Sequence, residues 1–122
     1  MTIAYWCVLA FGLSPYFFAT LAKSSKGFNN NTPREFLQQA TGWRKRAHWV
    51  QLNNFETFPL FATCTLIAHQ FHYSQTKIDN YALIFIGCRV LYSICYLKDL
   101  AFPRSLTWLA SILCCCAILF CS

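Results

Sequence analysis

Glu56 and Arg89 are opposite charges set deep inside apolar runs. Glu56 lies in RKRAHWVQLNNFETFPLFATCTLIAHQF, three residues after Asn53 and three before Pro59; Arg89 lies in YALIFIGCRVLYSICYL. An unpaired charge at the middle of a bilayer costs at least about 2.5 to 3.5 kcal/mol, so each needs a partner or a task. On a helix, Arg46, Asn53, Glu56 and Leu60 recur at intervals of seven, three and four and share one face. Arg89, Tyr92, Ser93 and Tyr96 form a second such face, and Arg104 and Ser105 open a further apolar run. Three helices thus offer polar groups to one pocket with a cationic balance and hydroxyls beside the arginines. That chemistry suits an anionic, peptide-like or carboxylate ligand.

The elements that must position these groups are membrane helices. The chain has 122 residues, 57% hydrophobic and 11% charged, where a soluble domain carries roughly 25% charged residues. A chain this short cannot bury so much apolar surface in one soluble core. Four segments approach the spanning length of about 20 residues: Ile3 to Ala22, about Ala47 to about Phe71, about Tyr81 to Leu97, and Ser105 to Cys121. Backbone inside lipid must satisfy its own hydrogen bonds, and no alternating polar pattern suggests a barrel, so these segments read as helices. The first lacks the basic leading region of a cleaved signal and reads as a retained span. The expectation is an all-α, single-domain, antiparallel four-helix bundle over residues 1–122.

Depth pairs the two charges. At about 1.5 Å per residue, Glu56 lies roughly 15 Å below Arg46, and Arg89 about 13 to 14 Å from Lys98 on an antiparallel helix. Opposite charges at one depth predict a Glu56–Arg89 ion pair, within a chain or between subunits. Such a pair serves equally to lock helix register or to line a site.

The formal charge is +6, and its placement sets orientation. Lys23, Lys26, Arg34, Arg44, Lys45 and Arg46 fall between the first two spans, Lys98 and Arg104 between the last two, and Lys77 alone in the remaining turn. The positive-inside rule puts loops 23–46 and 98–104 in the cytoplasm. Orientation and anionic lipid account for the basic loops, so nucleic acid is not expected as a partner. In the long loop, Thr32-Pro33-Arg34-Glu35 reads as a helix start, with a short helix from Pro33 to about Ala40 laying Phe36 and Leu37 on the membrane surface. Trp43, Trp49 and Trp108 are interface anchors. Ser14-Pro15 interrupts the first span, which otherwise holds only packing residues. The eight cysteines all lie in apolar spans and form no paired CxxC, so no metal site is expected and they read as small hydrophobes. His48 and His69 stand about 30 Å apart on one helix, too far to clamp a haem.

Asn53-Asn54-Phe55-Glu56-Thr57-Phe58-Pro59 resembles the N-x-x-E-x-x-P core of the membrane-associated proteins in eicosanoid and glutathione metabolism, the MAPEG family. Arg89, Tyr96 and Pro103-Arg104-Ser105 are similar to the third and fourth helices of its prostaglandin E synthase branch, and NNNTPREF, GWRKRA and QLNNFETFPLF look most like bacterial members. The resemblance implies a homotrimer, here in a bacterial inner membrane, that binds glutathione as co-substrate between subunits and uses it against a lipophilic electrophile. It implies that Arg46, Asn53, Glu56, Tyr92 and Tyr96 contact glutathione, that Arg104 and Ser105 stabilise its thiolate or assist chemistry, and that Arg89 clamps Glu56. A fixed guanidinium favours a thiolate over a thiol, and a hydroxyl donates to it.

Departures from that branch bear on activity. Trp49 and Leu52 stand where it has further arginines, and Tyr92 where it has a histidine; its arginine at the end of the first helix has no clear match. Two functions follow: a glutathione-dependent transferase or peroxidase, or a non-catalytic lipid-binding or scaffold protein of the same fold.

Overall fold

The computed structural model describes residues 1–24 and 27–120. Lys26 of the basic loop and Cys121 at the end of the fourth expected span lie outside them. The described residues form five helices: α1 (Ile3–Ala22), α2 (Pro33–Gln39), α3 (Gly42–Gln70), α4 (Gln75–Leu97) and α5 (Ala101–Phe120). Three of them, α1, α4 and α5, are long and apolar enough to cross a membrane. The 29-residue α3 has the length, but Asn53, Asn54 and Glu56 interrupt its apolar run. Among the described residues the fold is therefore all-α, with three helices rather than the four expected long and apolar enough to span a membrane.

Local chemistry explains each boundary. Thr2 caps α1 by accepting the Tyr5 amide at 3.2 Å. Pro15 deprives the Phe11 carbonyl of its usual helical donor, and Ser14 Oγ supplies the replacement at 2.7 Å. Pro33 begins α2 at the first helical position, where its missing N–H costs nothing. Leu37 does not lie on the membrane surface as expected. It is buried, wedged between Ala22 of α1 and Ala47 of α3, while Phe36 meets Phe28 edge-on at 5.1 Å. Gly42, at φ +64°, takes the left-handed backbone that separates α2 from α3.

Two short turns set the topology. Tyr73 and His72 donate backbone N–H groups to the carbonyls of Ala68 and His69, and Leu100 and Asp99 do the same to Cys95 and Tyr96. Each is a Schellman ending, and each puts a non-glycine residue, His72 or Asp99, at positive φ. Connections this short make sequential helices antiparallel neighbours. Helices α1 and α4 run the same way: the Ala4 amide meets Asp79 at one end, and Ala22 and Leu97 share a cluster at the other.

Most of the core occupies the half of the bundle away from the basic loops. Cys7 and Phe11, Phe61 and Cys64, Ala82 and Phe85, and Cys115 and Ile118 interlock there. Phe61 stacks on Phe85 at 3.9 Å, with Phe11 edge-on to the same ring at 4.9 Å. At Gly12 the α1 backbone passes under the Phe58 ring, where a Cβ would stand 2.9 Å from a ring carbon; small residues let membrane helices close up in this way.

Asp79 ties α1 to α4. One carboxylate oxygen accepts the Ala4 N–H at 2.9 Å and the Gln75 amide at 2.7 Å, and it places negative charge at the positive end of the α1 dipole. Asp79→Ala is expected to cost about 1 to 2 kcal/mol. Asp79→Asn should cost less, because it keeps an acceptor. Unfolding midpoints in detergent and faster hydrogen exchange at the α1 start measure the loss; equal midpoints for all three chains would exclude the tie.

Candidate functional site

A polar layer crosses the bundle between its apolar core and its basic end. Its centre is Arg89, only 3% exposed. Nη2 of Arg89 donates to Oδ1 of Asn53 and Oδ1 of Asn54, both at 2.6 Å, and Nη1 reaches Ser111 Oγ at 3.4 Å. The guanidinium carbon lies 4.1 Å from the Tyr92 ring centroid and 5.4 Å from that of Phe11. Asn54 passes the network on: its Nδ2 donates to Ser14 Oγ at 3.0 Å, the hydroxyl that repairs the proline break in α1. One arginine therefore joins α1, α3, α4 and α5.

The expected Glu56–Arg89 pair is not formed within the chain. Glu56 is exposed, and among the described residues it has no ion-pair partner. Geometry explains the correction. Successive helical residues point about 100° apart, so when Asn54 faces inward, Glu56, two positions on, faces the opposite way and outward. Amide oxygens at hydrogen-bond distance solvate the guanidinium instead.

Glu56 opens into a cleft of about 320 Å³ with Trp49, Leu52, Asn53, Tyr92 and Tyr96. A second cleft of about 220 Å³ is lined by Tyr92, Tyr96, Arg104, Ser105 and Trp108. The two share both tyrosines, whose rings meet edge-on at 5.6 Å. The Arg104 guanidinium carbon is 4.6 Å from the Tyr96 ring centroid, a cation–π contact that holds the charge at the seam. Ser105 Oγ donates to the Ala101 carbonyl at 3.2 Å. Asn53, Glu56, Tyr92, Tyr96, Arg104 and Ser105 are thus brought together from three helices, whereas Arg89 and Ser93 of the expected faces turn inward.

Arg46 is not brought with them. It lines neither cleft; its Nε donates to the Leu97 carbonyl at 3.1 Å. It caps the last turn of α4, where the negative end of the helix attracts a cation.

Asn54, Ser111 and Ser14 were missed as members of the polar layer. Asn54 was legible only as the second half of an asparagine pair, and Ser111 only as a lone hydroxyl in an apolar run. Ser14 was hidden by Pro15, which reads as a simple kink.

Comparison with curated proteins gives no match. The family comparison does: the model of the MAPEG family matches residues 3–122, essentially the whole chain. With three long apolar helices, and with Asn53 and Glu56 of the N-x-x-E-x-x-P run lining the cleft, this integral membrane protein belongs to the MAPEG family.

Proposed function

We propose that the protein is a glutathione-dependent transferase or peroxidase acting on lipophilic electrophiles, assembled as a homotrimer, with α3 as its fourth span and its basic loops cytoplasmic. The observation that carries this reading is the pair of adjoining clefts sharing Tyr92 and Tyr96. A carboxylate and an amide from α3 stand beside a guanidinium and a hydroxyl from α5. Glutathione carries an ammonium, peptide groups and a thiol, and this set has a counterpart for each of these. Glu56 receives the ammonium, Asn53 the peptide groups, and Arg104 the thiolate, which it favours over the thiol by charge.

The sulfur then attacks the electrophilic carbon, forming a C–S bond, while the displaced electron pair leaves with the departing group or takes a proton. Both clefts are open in the single chain, so a neighbouring subunit in a trimer would close them. A second reading, lipid binding without chemistry, is favoured by Trp49 and Leu52 in the Glu56 cleft: Arg104 is the one cation lining either cleft among the described residues.

The test uses protein in detergent with millimolar glutathione. Catalysis predicts a raised unfolding temperature, thiolate absorbance and conjugation of a generic electrophile. No stabilisation and no thiolate would sink it; stabilisation without turnover would favour the second reading.

A further inference from the structure

A further cleft lies between α2 and the start of α3, sharing Trp49 and Leu52 with the Glu56 cleft. It has a volume of about 520 Å³, well within the range of small-molecule sites. Its lining changes in chemistry along α3: Lys45 and His48 come first and Leu52 and Phe55 follow, with Arg34 and Gln38 of α2 beside them. From Lys45 to Phe55 is ten residues, about 15 Å along α3. The gradient from cationic to apolar therefore runs along the helix axis, in the direction a lipid molecule lies. No carboxylate lines the cleft, and Arg34 has no hydrogen-bond or ion-pair partner among the described residues. Lys45 Nζ sits 5.4 Å from the Trp49 ring centroid. Trp49 is 41% exposed, and Leu52 and Phe55 are each 43% exposed, which is apolar surface needing cover at the level where an acyl chain begins.

We propose that this cleft binds an anionic glycerophospholipid, with its phosphate between Arg34 and Lys45 and an acyl chain along Leu52 and Phe55. Charge complementarity selects the headgroup: two cations with no competing acid favour a lipid of net negative charge over a zwitterionic one. The apolar end selects a lipid over free phosphate, which has no use for Leu52, Phe55 and Trp49. Trp49 and Leu52 also line the Glu56 cleft, and the lipid readouts below need no glutathione.

Native mass spectrometry of the full chain in detergent tests it, by titration with phosphatidylglycerol, with phosphatidylcholine of the same chains, and with inorganic phosphate. The wild-type chain is expected to retain phosphatidylglycerol preferentially. The double variant R34Q/K45Q should weaken that binding roughly 30-fold, and R34K/K45R should restore it. In the otherwise native chain, brominated phosphatidylglycerol should quench tryptophan emission by a component that W49F removes; this readout stands even if the double variant fails to fold. Equal retention of the two lipids, preference unchanged in R34Q/K45Q, or no quenching lost in W49F would each overturn the proposal. So would full competition by inorganic phosphate, which marks a free-anion site, or efficient H48C cross-linking between copies that lipid does not alter, which marks a subunit interface.

Discussion

Arg89→Ala is expected to destabilise the bundle by about 3 kcal/mol or more, and Glu56→Gln to change stability by less than about 0.5 kcal/mol. The first substitution removes three interhelical hydrogen bonds at once, leaving the Asn54 oxygen without its donor and the Asn53 oxygen with only the Thr57 hydroxyl at 3.4 Å. Single hydrogen bonds between membrane helices average only about 0.6 kcal/mol, so the bonds alone account for about half of the loss. The rest comes from the cavity, because the guanidinium fills the space between the Tyr92 and Phe11 rings and deleting buried atoms costs more than their transfer energy. An opposing effect must be weighed. A charge at mid-bilayer costs about 2.5 to 3.5 kcal/mol, and alanine relieves it. That cost is also present when α4 stands alone in lipid, so it largely cancels from the stability of the assembled bundle.

Unfolding in mixed micelles measures both variants. Arg89→Met, which restores bulk but no donor, should fall between wild type and alanine. Should Glu56→Gln cost as much as Arg89→Ala, an ion pair between subunits would be holding the assembly, and amide solvation would be the wrong account of Arg89.

The helices were more legible than their ends. Ile3–Ala22 coincides with the expected first span, because polar residues flank it on both sides and hydropathy and helix end together. Helices α3, α4 and α5 each begin several residues before their apolar runs, at Gly42, Gln75 and Ala101. Hydropathy reports where a segment meets lipid, whereas helix starts are set by backbone geometry. Gly42 with its left-handed backbone, and the turns at His72 and Asp99, place those starts in polar sequence. The short α2 was legible from Thr32-Pro33, but the burial of Leu37 was not, since it depends on Ala22 and Ala47 leaving room between two other helices.

The site divides in the same way. Spacing alone put Asn53 and Glu56 on one face and Tyr92 and Tyr96 on another, and those residues share a cleft. Partners were harder to read. A count of charges sees only Glu56 as a mate for Arg89, while the acceptors that hold it are neutral amides two and three positions from the residue expected to matter. Arg46 shows the same limit: its depth fits the ligand face and the α4 carboxyl end equally well, and the Leu97 carbonyl is the nearer acceptor.

Arg104→Ala is expected to lower kcat/KM for glutathione conjugation by about 100-fold, the loss typical when one charge-stabilising group is removed. It should leave assembly intact, because the side chain is partly exposed and its contact is the outer face of the Tyr96 ring. Rate alone would not separate stabilisation of a thiolate from mere support of Tyr96, so the pH profile decides. A guanidinium beside a thiol favours the anion and lowers the pH at which bound glutathione ionises; without it, the thiol of bound glutathione should ionise at higher pH, and the rising limb of the profile should move the same way. Arg104→Lys keeps a charge but not the flat ring contact, and should recover the pH profile better than the rate. Ser105→Ala should cost less than Arg104→Ala, since its hydroxyl donates to the Ala101 carbonyl and must turn away from it to reach sulfur. A slower Arg104→Ala enzyme with an unmoved pH profile would assign Arg104 to positioning Tyr96 and send the search for the thiolate's partner to the subunit across the cleft.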